Sequence, residues 1–182
     1  FQERDYLDRN WEPSPVPPSR IAAVLLTHAH MDHCGLLPRL VHEGFRGPIY
    51  ATPATSDLAE LVLTDAAEIQ VEDAAFKRKR HRKEGRRGRH PEVPLFTVKE
   101  VRKTIPRFEE VPYGEPVQVN DRVRVFFHDA GHILGSSILD VEVAENGTTR
   151  RIVFSGDLGQ WGKPILRDPT FLDQADYLVM ES

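Results

Sequence analysis

Cysteine is almost absent from this sequence, since Cys34 is the only one among 182 residues. A chain with one cysteine forms no internal disulfide, which excludes the disulfide scaffolds of small secreted domains. The chain begins Phe1-Gln2-Glu3, with neither an initiator methionine nor a basic-then-apolar leader. We therefore expect a fragment or a processed chain of a cytoplasmic protein.

Long hydrophobic runs are also missing, and none approaches the roughly 20 apolar residues that span a bilayer. No membrane partner is therefore expected. Hydrophobic residues make up 40% of the chain and charged residues 29%, as is typical of globular domains. The length predicts a single domain with its own core. We find no internal repeat at the periods that mark solenoid proteins.

Neither sign of charge is in large excess, because the formal net charge is −4. Overall charge thus gives no reason to expect nucleic-acid binding. However, nine of the 24 basic residues form one local run, in which the only acidic residue is Glu84. These nine, called the basic run, are Lys77, Arg78, Lys79, Arg80, Arg82, Lys83, Arg86, Arg87 and Arg89.

Two interpretations of the basic run remain open. Its cations could hold RNA phosphates, with an affinity that falls as salt rises. The alternative is a solvated, disordered surface loop. The run contains no aromatic residue for base stacking, so we do not expect it to read sequence by itself.

The first half of the chain alternates short apolar runs with helical periodicity. Residues 21–26 and 49–51 predict buried strands, and residues 36–41 predict a helix that ends near Gly44. A long helix is predicted from Ala54 to about Phe76. The apolar face expected on it comprises Leu58, Leu61, Val62, Ala66 and Ile69.

The second half is rich in β-pattern. Glycines and prolines within residues 77–94 predict a basic, mobile insertion, and residues 97–103 predict a short helix. Strands are predicted at 117–119, 123–127, 137–143, 151–154 and 177–180. Asn146-Gly147 is a hairpin signal. The order of elements indicates sheets with helices packed outside, an α/β or α+β layered domain.

Potential metal ligands are concentrated in the run Thr27-His28-Ala29-His30-Met31-Asp32-His33. Because His28 and His30 are two residues apart, an extended segment directs both side chains to one ion. Asp32 and His33 are adjacent and diverge unless the chain turns, which suits a second ion. Each zinc needs roughly four or five donors, so further ligands must lie downstream.

Two downstream residues follow predicted strands and lie among glycines. They are His132, in Ala130-Gly131-His132-Ile133-Leu134-Gly135-Ser136, and Asp157, in Ser155-Gly156-Asp157-Leu158-Gly159. Glycine permits unusual dihedral angles near a crowded site, and a carboxylate can bridge two ions. Taken alone, each residue is more typical of an ordinary loop or turn. The remaining histidines, which we interpret as non-ligands, are His42, His81, His90 and His128.

Four segments together resemble the metallo-β-lactamase superfamily and, within it, the β-CASP nucleases. In chain order they are THAHMDH, AGHILGSS, SGDLG and the closing YLVMES. The resemblance implies an αββα sandwich, with residues 1–182 forming a partial domain. An early strand ending in Asp-Cys-Gly is expected before Phe1, and the β-CASP cap domain is expected after Ser182.

The resemblance also implies a role for each candidate residue. The ligands of one zinc are His28, His30 and His132. The ligands of the second zinc are Asp32 and His33, and Asp157 bridges the two ions. Asp32 further orients a metal-bridging hydroxide that attacks phosphorus, and Glu181 orients a histidine of the cap as general acid. Without the cap, the chain is expected to be weakly active or inactive.

The segments AGHILGSS and SGDLG and the final Glu-Ser are similar to the RNA-processing branch of that family, which includes bacterial ribonucleases and the pre-mRNA 3′-end endonuclease. The DNA-repair branch carries Cys-Pro-Gly-Ser after the histidine and Asp at the strand end. We therefore expect a zinc-dependent phosphodiesterase, a ribonuclease acting on single-stranded RNA in RNA processing. Endonuclease and exonuclease action both fit the sequence.

Two other functions stay open at this point. One is hydrolysis of a small ester or thioester, as by glyoxalase II, which shares the histidine-rich run. The other is a non-catalytic, nucleic-acid-binding homologue, although such a protein would not need six metal ligands. Ligand chemistry does not separate zinc from manganese or iron. Self-association as a homodimer is also left open.

Overall fold

A computed structural model of the chain describes residues 4–181, with side chains from Asp8 onward. It divides into two compact units. The helical unit comprises 4–21, His30–Gly47 and Ala59–Arg107, and the sheet unit comprises Ala22–Ala29, Pro48–Leu58 and 108–181. Among the described residues, no helix combines the length and apolar character that crossing a membrane requires.

The sheet unit contains a small parallel sheet with the strand order β1-β2-β3. Its strands are β1 (Val24–Leu25), β2 (Ile49–Ala51) and β3 (Phe108–Glu110). β1 is shorter than predicted: the amide of Val24 donates to the carbonyl of Pro48, which as proline has no N–H to extend the ladder. β3 was not predicted, because two of its three residues are charged glutamates.

A second sheet of five strands has the order β4-β5-β6-β7-β8. Its strands are β4 (Pro116–Asn120), β5 (Val123–Asp129), β6 (Ser137–Glu145), β7 (Thr148–Phe154) and β8 (Tyr177–Val179). The first four are antiparallel, and β8 runs parallel to β7. Asn146 and Gly147, both at positive φ, form the predicted hairpin turn between β6 and β7.

The core of the sheet unit lies between its two sheets. Val125, Phe127 and Leu139 of the second sheet are buried, and Leu25 and Tyr50 of the first sheet pack against them. Burial of one such side chain stabilises the fold by about 1.5–3 kcal/mol. This packing fixes the two sheets face to face, so the loops at their strand ends have defined positions.

The helical unit contains α1 (Met31–Cys34), α2 (Leu37–His42), α4 (Val98–Thr104) and, from Ala59 onward, α3 (Pro53–Glu84). The predicted helix at 97–103 is confirmed, and Thr97 caps it. The Thr97 side chain accepts from the amide of Lys99, and Glu100 accepts from the amide of Thr97. This reciprocal capping box satisfies donors that a helix start otherwise leaves unpaired.

Helix α3 is longer than predicted and continues to Glu84. Six of the nine residues of the basic run are therefore helical rather than part of a loop. Lysine, arginine and glutamate are good helix formers, and cations near the C-terminal end interact favourably with the helix dipole. The helix ends where Gly85 adopts a left-handed conformation, with φ of +63°.

The buried face of α3 also differs from the prediction. Leu61 and Ile69 are 67% and 53% exposed, whereas Ala59, Leu63 and Ala67 are fully buried. Alanine has little hydrophobic surface, but its small side chain lets a neighbouring element approach the helix backbone closely. Leu58, Val62 and Ala66 are partly buried, so the predicted face overlaps the edge of the buried face but is not centred on it.

Candidate metal centre

His28 is placed by the chain segment that leaves β1. The carbonyl of Thr27 accepts from the amide of Ser137, which joins this segment to the start of β6. The imidazole of His28 is fully buried, and its Nδ1 lies 3.1 Å from Oγ1 of Thr27. A partner at Nδ1 fixes the ring orientation and leaves Nε2 as the atom available to a metal.

His132 lies in the loop between β5 and β6, and hydrogen bonds hold that loop in place. Oγ of Ser136 accepts from the amide of His132 at 3.0 Å. The carbonyl of Gly135 accepts from the hydroxyls of Thr52 and Thr55, at 2.6 and 2.8 Å. The imidazole of His132 is therefore carried by a short loop whose conformation is fixed at both ends.

Asp157 follows β7 in a loop that admits no side chain at two positions. A Cβ on Gly159 would lie 1.7 Å from the carbonyl oxygen of Gly131. A Cβ on Gly156, which has φ of +52°, would lie 3.0 Å from Cβ of Thr27. The glycines predicted beside the site thus permit the close approach of the Asp157 loop to the other two loops.

The side chains of His28, His132 and Asp157 converge within the sheet unit. Nε2 of His132 lies 3.3 Å from Oδ2 of Asp157, and Nε2 of His28 lies 3.7 Å from it. A tetrahedral zinc with bonds of about 2.0–2.1 Å holds its ligand atoms about 3.3 Å apart. Two imidazole nitrogens and one carboxylate oxygen at this spacing therefore fit a single zinc ion.

The other three predicted ligands belong to the helical unit: His30 directly precedes α1, and Asp32 and His33 lie within it. Met31–Cys34 form one helical turn, and its first carbonyl acceptor is His30. Oδ2 of Asp32 lies 3.6 Å from Nε2 of His33. Successive residues in a helix are separated by about 100° rather than 180°, so these two adjacent side chains converge instead of diverging.

Glu181 lies in the sheet unit, two residues after the end of β8. β8 is parallel to β7, with Val179 opposite Phe154, and the amide of Ser155 donates to the carbonyl of Val179. The C-terminal ends of parallel strands reach the same edge of a sheet. Asp157 and Glu181 therefore follow neighbouring strands at one sheet edge, and Glu181 is exposed there.

The four histidines interpreted as non-ligands each face a carboxylate. Nε2 of His128 lies 3.5 Å from Oδ2 of Asp140, which Arg151 also binds with two hydrogen bonds of 2.8 Å. Those hydrogen bonds raise the pKa of the Arg151 guanidinium. The other pairs are His42 with Glu100, His81 with Glu92, and His90 with Asp8. Each of the four histidines thus has a carboxylate neighbour, and their assignment as non-ligands stays a prediction.

Thr27 and Ser136 contact the candidate ligands or their loops but were not singled out from the sequence. Each lies inside one of the quoted segments, beside or near a histidine. A hydroxyl side chain adjacent to a candidate ligand is the signal that could have identified them, because ligating histidines usually need a partner at the second ring nitrogen and an ordered loop.

Comparison with known proteins gives matches across most of the chain. The description "Metallo-beta-lactamase superfamily domain" matches residues 7–177. A ribonuclease of Thermus thermophilus is 36% identical over 95% of this chain and 34% of its own length. The transcription termination factor FttA of Methanosarcina mazei is 34% identical over 86% of this chain and 22% of its own length.

A solved structure agrees with the fold. The subclass B3 metallo-β-lactamase BJP-1 of Bradyrhizobium japonicum superposes with a TM-score of 0.51 and 16% identity, over 90% of this chain and 57% of that one. The predicted fold class, a mixed α/β metallo-β-lactamase fold, is confirmed. The chain spans about a third or less of the two curated relatives above. It belongs to the metallo-β-lactamase superfamily.

Proposed function

We propose that the chain is the metal-binding part of a zinc-dependent phosphodiesterase of the β-CASP type, which hydrolyses single-stranded RNA in RNA processing. The observation that carries this proposal is the convergence of two imidazole nitrogens on Oδ2 of Asp157 at distances that suit zinc. The names of the relatives, a ribonuclease and a transcription termination factor, support RNA as the substrate.

In this proposal the six predicted ligands hold two ions. His28, His30 and His132 would hold the first ion. Asp32 and His33 would hold the second, and Asp157 would contribute to both. The donor set is four imidazoles and two carboxylates, which is the chemistry that zinc prefers in catalytic sites. A histidine from outside the chain would complete the second set.

Bound zinc supplies Lewis acidity and lowers the pKa of water to roughly 7. The protein's own residues then position the reactants. Asp32 accepts a hydrogen bond from the attacking water and orients it toward phosphorus. Glu181 orients the group that donates a proton to the leaving oxygen, which requires hydrogen-bond reach from that group to the oxygen.

Charge favours an anionic substrate at such a site. Two divalent ions carry more positive charge than Asp32 and Asp157 neutralise, so a phosphodiester is attracted. The basic run adds nine cations in the helical unit, where they can bind the RNA backbone. The reacting carbonyl of a thioester carries no charge and would gain less from either feature than a phosphodiester does.

The test compares two histidine variants of the full-length protein. His28→Ala removes a buried predicted ligand, and His42→Ala removes an exposed histidine that faces Glu100. We expect His28→Ala to lose zinc and RNA cleavage, and His42→Ala to keep both. Zinc is measured per chain by mass spectrometry, and cleavage is measured on a labelled single-stranded RNA.

Two outcomes contradict the proposal in different ways. If His28→Ala retains the zinc content of the unmodified protein, the ligand assignment is wrong. If the zinc-loaded protein hydrolyses a glutathione thioester but leaves RNA intact, the site binds metal as proposed and the substrate class is wrong.

A further inference from the structure

The helical unit contains a cavity of about 320 Å³, at the lower end of the roughly 300–1,000 Å³ typical of small-molecule sites. Its walls come from three stretches that are distant in sequence: residues 10–11, part of α3 and residues 88–95. Lys77 and Arg89 of the basic run also line it. The cavity therefore lies at one end of the basic run.

One wall is formed by the end of the 3-10 helix Arg4–Trp11. The guanidinium of Arg39 donates to three successive carbonyls, those of Asn10, Trp11 and Glu12. Such multiple donation from a single planar group holds the backbone in one conformation. Asn10 and Trp11 are thereby fixed at the cavity wall.

The opposite wall is held by Glu92. Its carboxylate accepts from the amide of Gly88 at 3.2 Å and contacts Nδ1 of His81, and its carbonyl accepts from Arg78 at 2.8 Å. The hydrogen bond with His81 lowers the pKa of Glu92, so this carboxylate is ionised at neutral pH. Residues 88–92 are thus tied to α3.

Two polar atoms of the cavity lining are buried without a hydrogen-bond partner in the described part of the chain. They are Oδ1 of Asn10, an acceptor, and Nε2 of Gln70, a donor. Asn10 is only 4% exposed. The other polar atom of the Gln70 side chain, Oε1, already accepts from the amide of Leu95. Both atoms lie behind the cavity surface, so a ligand that offers a donor and an acceptor would satisfy them once the two side-chain amides turn toward it.

The cavity also has an aromatic wall. The indole of Trp11 is partly buried and lies nearly parallel to the imidazole of His90, with an angle of 9° and centroids 6.3 Å apart. Planar heteroaromatic rings stack on an indole face. The basic run itself lacks aromatic residues, and the fold supplies one from more than 60 positions earlier in the chain.

The charges that line the cavity balance. Asp73 lies 3.9 Å from Lys77, Arg89 forms an ion pair with Asp8, and Glu92 contacts His81 as described. No excess cation faces the cavity from these groups, so a phosphate would gain little there. A neutral, planar ring with donors and acceptors on its edge is the better match.

We propose that this cavity binds one unpaired base of single-stranded RNA, while cations of the basic run hold the adjoining phosphates. The base stacks on Trp11, and the side-chain amides of Asn10 and Gln70 turn toward its edge and pair with it. The choice of RNA rests on the proposed function, whereas the choice of a base rests on the cavity alone.

The test compares two ligands that share one backbone. A phosphorothioate oligoadenylate of about ten nucleotides is titrated by fluorescence anisotropy against an abasic strand of the same length, with the full-length protein. Stacking is worth about 1–3 kcal/mol per base, so Trp11→Ala is expected to weaken oligoadenylate binding roughly 5- to 150-fold. Binding of the abasic strand should stay unchanged. The matched control is Trp161→Ala, which removes an exposed tryptophan of the sheet unit.

A second variant tests the polar edge. Gln70→Glu keeps the oxygen that accepts from Leu95 and replaces the donor by a second oxygen. We expect it to weaken oligoadenylate binding roughly five-fold or more beyond any loss on the abasic strand. Trp11→Phe should bind oligoadenylate more tightly than Trp11→Ala and less tightly than the unmodified protein. If circular dichroism shows that Trp11→Ala is unfolded, Trp11→Phe alone tests the stacking contact.

Equal affinity of the unmodified protein for both strands would overturn the base site. Equal losses on both strands in Trp11→Ala and Gln70→Glu would do the same, and would point to occupation of the cavity by a protein segment. RNA cleavage is scored separately. Base-dependent binding without cleavage would contradict the proposed hydrolysis and support the base site. Cleavage without base-dependent binding would support the proposed hydrolysis and contradict the base site.

Discussion

Histidines meet carboxylates in both units, but in two different arrangements. In the helical unit the contacts are one to one, as for His90 with Asp8 at 3.0 Å, which is a hydrogen-bond distance. In the sheet unit His28 and His132 share one oxygen of Asp157 at 3.7 and 3.3 Å. The shared arrangement is too wide for good hydrogen bonds and suits a common ion.

Two imidazoles on one carboxylate oxygen distinguish the candidate metal centre; distance alone does not, because the pairs His42–Glu100 and His33–Asp32 are 4.0 and 3.6 Å apart. Asp140 in the sheet unit extends the comparison. It faces His128, but Arg151 occupies both of its oxygens at 2.8 Å. A carboxylate with a bidentate arginine is already neutralised and has no need of a metal.

The largest expected effect is on the shared carboxylate. Asp157→Ala should abolish RNA cleavage and lower metal affinity more than the roughly 10- to 100-fold that loss of an indirect supporting residue causes. Asp121→Ala, in the exposed turn between β4 and β5, is the matched control. If Asp157→Ala cleaved RNA at the rate of the unmodified protein, Asp157 would not be part of the catalytic centre. The two arrangements of histidines and carboxylates would then not differ in function.

The next largest effect is expected from substituting one of two leucines on α3. Leu63→Ala should destabilise the protein by about 2–5 kcal/mol, because Leu63 is fully buried. Leu61→Ala should change stability by less than about 0.5 kcal/mol, because Leu61 is 67% exposed. Urea unfolding measures both. Similar losses for the two variants would contradict the helix face described for the helical unit.

A smaller effect is expected from the basic run. Replacing its nine cations by glutamine, which preserves helix propensity, should weaken RNA binding roughly 10- to 100-fold at low salt and flatten the dependence of affinity on salt. Thermal unfolding serves as the folding control. An unchanged salt slope would show that these cations do not contact phosphates, and the metal centre alone would then account for RNA binding.

The smallest expected effect concerns Asp140, the carboxylate that Arg151 binds with two hydrogen bonds. Asp140→Asn leaves Arg151 without its counter-charge and should lower the free energy of unfolding by about 1–2 kcal/mol, less than for a fully buried pair because Arg151 is partly exposed. Zinc content should not change. Loss of zinc in this variant would place Asp140 in the metal centre and break the comparison.

Motifs whose residue types are required by metal-ligand chemistry or by backbone conformation could be predicted from the sequence. Imidazoles and carboxylates at strand ends, among glycines, predicted His28, His132 and Asp157, and the structure brings these three together. The hairpin at Asn146 was also readable, because positive φ restricts the residue type. In both cases a local physical requirement selects specific residues.

Features that depend on tertiary packing could not be predicted from the sequence. The turn of α1 spans four residues and has no periodicity to detect. The buried face of α3 is marked mostly by alanines, with Leu63 among them. The cavity beside Trp11 joins residues from three distant stretches. None of these leaves a local pattern, since each arises from which surfaces the fold brings into contact.

The central claim is that His28, His132 and Asp157 hold one zinc ion. An anomalous difference map, calculated from crystals of the zinc-loaded protein measured at the zinc absorption edge, tests this most directly. We predict a peak within bonding distance, about 2.0–2.2 Å, of Nε2 of both histidines and Oδ2 of Asp157. A zinc-loaded crystal whose map shows no peak among these three atoms would contradict the account.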